Sequence, residues 1–142
     1  MRADARGTAT VEFVWLSILL LVPIVYVLIA VFDTQRAAYG ASTASRSAAR
    51  VFLQAPDAAT GERRAQLAAQ IAMQDQGVDG AVVRVTCLPS PGECLQPGSS
   101  VRVFVQVSQR LPLTPTVLGD QLGAITVDST HTQPYGTYRA RR

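Results

Sequence analysis

The residues with the clearest chemical purpose stand at the start of the chain. They are Gly7, Glu12 and Phe13, in the run Gly7-Thr8-Ala9-Thr10-Val11-Glu12-Phe13 behind Arg2 and Arg6. Glu12 sits at the head of an apolar stretch that extends from Val11 to Phe32. An ionised side chain in hydrocarbon costs roughly 3 kcal/mol even on mild insertion scales, so it demands a partner or a purpose.

Cys87 and Cys94 are the other reactive pair, separated by Leu88-Pro89-Ser90-Pro91-Gly92-Glu93. The prolines and glycine make a turn that can bring the two sulfurs together. A disulfide is expected if this part of the chain lies outside the cytoplasm, and two free thiols if it does not. A closed zinc site would need a second pair of ligands, so no metal is expected. The single histidine, His131, lies in a Thr-rich stretch without a neighbouring cysteine or carboxylate cluster, and reads as a surface or strand-end residue. With no GxGxxG, Walker loop or HExxH, the chain carries no motif of an enzyme, and no cofactor is expected.

Composition narrows the class further. The chain has 142 residues, 48% of them hydrophobic, and a net charge of +3 that comes entirely from arginine. The arginines are scattered apart from Arg2 and Arg6 at one end and Arg139, Arg141 and Arg142 at the other. A nucleic-acid binder concentrates its basic residues on one element, and that pattern is missing, so nucleic acid is not an expected partner.

The elements that must position these residues begin with the apolar run. Phe13 to Phe32 is twenty residues interrupted only by Ser17 and Pro23, and as a helix it spans about 30 Å, one bilayer thickness. A cleaved secretory signal has a shorter core and a small-residue cleavage site, whereas Ala30-Val31-Phe32 is a poor one. A retained membrane helix with a kink at Pro23 is therefore expected. Arg2 and Arg6 before the run, against Arg36 after it, favour a cytoplasmic N-terminus. The cysteines point the same way.

Past Phe32, alanines and serines continue without a helix breaker until Pro56, so the membrane helix is expected to extend outward as one rod through about residue 53. Its small-residue face suits either close packing against other helices or packing on its own domain. Asp57 can cap a second helix that runs to about Gln76 and stops at Gly77. Leu67, Ala68, Ile71 and Ala72 would form its apolar face. After Gly80 the periodicity changes to two: Val83, Val85 and Cys87, then Val101, Val103, Val105 and Val107, with a third strand from Ala124 to Thr130. The prolines in Leu111-Pro112-Leu113-Thr114-Pro115 exclude regular structure there, and a short turn or helix follows through Leu122. The expected fold is α+β: a leader over 1–7, a long helix over 8–53, and a small domain over 54–142 in which a helix covers one face of an antiparallel sheet.

The N-terminal motif resembles that of the pilin-like proteins of tight-adherence (Flp) systems, especially the TadE-like pseudopilins. Gly7, Glu12 and Phe13 match the family pattern of a glycine before the cleavage point and a glutamate at the fifth mature position, followed by an aromatic residue. The likeness extends to Ala44-Ser45-Arg46-Ser47-Ala48-Ala49-Arg50, which is similar to an alanine- and arginine-rich stretch of that family. The resemblance implies a minor subunit in assembly of a tight-adherence pilus or related secretion apparatus. It also implies cutting by a prepilin peptidase after Gly7, with Thr8 as the new N-terminus. The protein would then sit in the cytoplasmic (inner) membrane with its C-terminal domain outside, joined to other pilin-like subunits. In a bundle of such helices, Glu12 could neutralise the Thr8 amino group of a neighbour. The alternative is an unprocessed single-pass membrane protein whose extracytoplasmic domain binds a partner.

Overall fold

The computed structural model describes residues 8–110 and 124–138, so the leader with Gly7, the proline-rich connection through Leu122 and the arginines at 139, 141 and 142 lie outside the described residues. The chain folds as helix α1 (Thr8–Leu53), helix α2 (Ala58–Gln74) and strands β1 (Val82–Leu88), β2 (Ser100–Arg110) and β3 (Ala124–Pro134). The class is α+β, as expected, with one three-stranded antiparallel sheet in the order β1-β2-β3.

Helix α1 has 46 residues and passes through Pro23 without ending. At 1.5 Å per residue it is about 70 Å long. Its two halves have opposite surroundings. Almost every side chain from Ala9 to Phe32 is exposed, and the most apolar stretch of the helix is covered by no other part of the chain. Such a surface is compatible with a single-pass membrane anchor and suggests association with a membrane. Beyond Arg36 the helix becomes the centre of a domain. Ala37, Gly40, Ala41, Ala44, Ser45, Ala48, Ala49 and Phe52 are all buried, recurring every three or four residues as one broad face.

That face explains where the small residues go. The alanines of α1 lie in the core with β2 and α2, so within this stretch they serve the chain's own domain. Gly40 lies against Met73 of α2 and Gln76 in the turn that follows it, while Ser45 donates to or accepts from Ser129 of β3 at 3.2 Å. The helix α1 is thus the middle layer, with the sheet on one side and α2 on the other.

Local chemistry sets both ends of α2. Asp57 caps the N-terminus by accepting from the Thr60 N–H at 2.8 Å and from the Thr60 hydroxyl at 2.9 Å. At the other end Gly77 adopts φ 68°, while the Val78 N–H donates to the Met73 carbonyl and the Gly77 N–H to the Gln74 carbonyl. This is the paired bonding of a Schellman motif, and buried Val78 and Met73 supply its hydrophobic contact.

The buried face of α2 differs from the expected one. Gly61, Ala65, Ala69 and Met73 face the core, whereas Leu67 and Ile71 are more than half exposed and Ala68 and Ala72 are only partly covered. Helix α1 offers a surface of alanine and glycine, and a facing stripe of equally small residues lets the backbones approach closely. Phe52 then packs over Gly61.

In the sheet, β2 is the central strand. Val101, Val103, Val105 and Val107 are essentially inaccessible and point toward α1. The alternate residues Arg102 and Ser108 are exposed on the opposite face, where Arg102 donates to the Thr132 hydroxyl. The registers Cys87↔Val101, Val103↔His131 and Val105↔Ser129 place His131 and Ser129 on the helix side of β3. Strand β3 runs on to Pro134, four residues past the expected end.

Candidate functional site

The described part of the N-terminal motif, from Thr8 on, lies on bare helix. Thr8 is the first residue of α1, and Glu12 and Phe13 stand one turn further on, both exposed. Around Glu12, Val11, Val14 and Trp15 form a shallow apolar surface with Thr10. Within the described part of its own chain, the motif has no partner for the carboxylate.

Cys87 and Cys94 are joined as a disulfide, which resolves the two readings of the pair. Both cysteines are buried, and the bond staples the connection that leaves β1. Ser99 holds the same loop by a separate device. Its buried hydroxyl lies 2.7 Å from the carbonyl oxygens of both Cys94 and Gln96 and accepts from the Gln96 N–H, while its own carbonyl accepts from the Tyr135 N–H. The loop is therefore tied both to β1 and to the end of β3.

A second site lies where α1 passes β3. Thr43, Arg46, Ser47 and Arg50 of the helix face His131, Thr132, Gln133 and Pro134 of the strand across a groove of about 650 Å³. His131, expected at a strand end, is a half-buried member of β3 that lines this groove. The two arginines are a single helical turn apart and both exposed. Their spacing was visible in the sequence, but their apposition to His131 depends on how the sheet docks on α1. Among the described residues no cluster of three or more histidine, cysteine or carboxylate side chains is placed to hold a metal ion.

Comparisons with protein-family models, with curated proteins and with solved structures return no match. What the fold itself defines is a long apolar helix that passes directly into a disulfide-stapled α+β domain.

Proposed function

We propose that this chain is a minor pilin-like subunit of the TadE-like kind, acting in assembly of a tight-adherence pilus or a related secretion apparatus. The observation that carries this reading is the continuity of α1: one helix is bare over its apolar half and forms the core of a domain over the other. A subunit that joins others through its helix while presenting a domain needs this division. The apolar half keeps its whole circumference free for lipid and for neighbouring helices, because its own domain uses only the later part.

The remaining parts of the reading follow from the motif and the disulfide. A disulfide persists in an oxidising compartment, which supports a domain outside the cytoplasm and an N-terminus inside it. The prepilin peptidase is then the processing partner, cutting after Gly7 and leaving Thr8 with an amino group that is largely protonated at neutral pH. Glu12 of an adjacent subunit neutralises that group and sets the axial register. This gives the exposed carboxylate a role that its own chain does not supply.

The groove beside β3 favours a second reading, an unprocessed anchored protein whose domain binds a partner. Mass analysis of the protein recovered from cells with an active prepilin peptidase separates the two. A chain starting at Thr8 supports the pilin-like reading, and a chain still starting at Met1 refutes processing.

A further inference from the structure

We infer that the groove between α1 and β3 binds an extended acidic segment of a partner protein. This inference stands apart from the pilin-like reading, since it does not depend on processing at Gly7 and uses the apolar helix only to exclude a lipid headgroup as the anion.

Charge is the first argument. Arg46 and Arg50 line one wall, His131 the other, and among the described residues no carboxylate lines the groove. Among the described residues, neither arginine forms an ion pair or hydrogen bond, and the remaining lining groups are hydroxyls, an amide and Pro134. Two guanidinium groups one helical turn apart offer forked donors suited to carboxylates along a chain.

Shape is the second argument. The strand side of the groove consists of four consecutive residues, His131 to Pro134. Successive strand residues point to opposite faces, so a groove that touches all four follows the edge of β3 and not one face of the sheet. Strand β3 has eleven residues and, among the described residues, pairs only with β2. An edge of that length, unpaired among the described residues, is a template for an added strand, in which main-chain hydrogen bonds supply affinity and side chains supply selectivity.

Position excludes the lipid headgroup as the anion. Arg46 and Arg50 follow Phe32 by 14 and 18 helical residues, which places them about 21 and 27 Å beyond the end of the apolar run. The headgroup layer is only about 5–8 Å deep on each side of the hydrocarbon. The arginines therefore stand in water, at the height of neighbouring protein.

The test uses the full chain in detergent micelles and a labelled peptide alternating threonine with glutamate. The peptide is ~8 residues long so that it spans the groove at about 3.3 Å per residue. Saturable binding that weakens with salt and shifts the amide signals of residues 131–133 is expected. A matched peptide with lysine in place of glutamate should not bind. Arg46→Ala and Arg50→Ala should each weaken the glutamate peptide about tenfold, the loss of one partly desolvated charge-assisted hydrogen bond. The pair Arg46→Glu and Arg50→Glu should reverse the preference toward lysine. No saturable binding, or affinity unchanged by both arginine substitutions, would overturn the inference. So would competition by inorganic phosphate at similar concentration, which would mark a small-anion pocket, or displacement by phosphatidylglycerol vesicles. Should a variant fail to fold, the amide shifts in the unsubstituted protein still decide whether the peptide occupies β3.

Discussion

Two buried glycines at the contact between α1 and α2 should respond to alanine with opposite sign. In an unobstructed helix interior, glycine to alanine gains about 0.8–1 kcal/mol of helix propensity. At Gly61 the added Cβ would lie 3.0 and 3.1 Å from two ring carbons of Phe52 and 3.2 Å from the Phe52 carbonyl oxygen. The ring is buried at 2% exposure and the carbonyl belongs to the last turn of α1, so neither can withdraw without moving the helix. Overpacking of this kind costs about 1–3 kcal/mol, which leaves Gly61→Ala net destabilising by about 1 kcal/mol after the propensity gain. At Gly40 the nearest atoms are the Met73 sulfur at 3.2 Å and Gln76 Cγ at 3.3 Å, both in unbranched side chains, and Gln76 is exposed. Gly40→Ala should therefore be neutral or gain up to about 0.5 kcal/mol. For a domain of this size a change of 1 kcal/mol moves Tm by roughly 4–8 °C. Thermal melts followed by near-ultraviolet circular dichroism read the packing around buried Phe52 and Tyr135 in the domain, over a contribution from Trp15 and Tyr26 of the apolar segment that is common to both variants. A rise in Tm for Gly61→Ala equal to that for Gly40→Ala would refute the packing argument.

Four further outcomes are expected. Reducing the Cys87–Cys94 bond, whose sequence separation is 7, should cost about 2.4 kcal/mol by the chain-entropy relation, read as a lower denaturant midpoint, and alkylation before reduction should label neither cysteine. The Thr60 N–H and hydroxyl hold the Asp57 carboxyl below the usual aspartate range. Its contribution is thus complete above the unfolded pKa and lost as pH falls through the lower folded value; Asp57→Asn should flatten the Tm profile between about pH 5 and pH 2. Leu67→Ser and Ile71→Ser should each change stability by less than about 0.5 kcal/mol, while Ala69→Leu should lose about 1–3 kcal/mol by overpacking, with equal losses from all three contradicting the observed face of α2. On the proposed pilin-like reading, Glu12→Ala should insert into the membrane normally yet co-purify less with partner subunits, and undiminished co-purification would remove its proposed pairing with Thr8.

Much of the fold was legible because it depends on local rules. The apolar run before Asp33, the cap at Asp57, the stop at Gly77 and the alternation along β2 each rest on residues within a turn or two of one another. The face of α2 was misread for the same reason. Local periodicity assigns Leu67 and Ile71 to the core because they are large and apolar, yet it contains nothing about the partner surface. That surface is an alanine and glycine stripe on α1, and it selects Gly61, Ala65 and Ala69. The candidate functional residues divide in the same way. Gly7, Thr8, Glu12 and Phe13 form a contiguous motif, and Cys87 and Cys94 flank one turn, so all were visible as candidates. The groove was not, because Arg46 and Arg50 meet His131 only after the last strand docks against the first helix.

The sequence by itself determined that a long apolar helix would precede an α+β domain, where the elements of that domain begin, and which cysteines lie within reach. These are decided by hydrophobic period, capping and turn chemistry, all short-range. Only the tertiary structure decided that α1 becomes the middle layer of the domain, that small residues and not leucines make its contact with α2, and that a basic groove runs along β3. Those outcomes depend on matching whole surfaces, where the shape of one element determines which side of another can approach it.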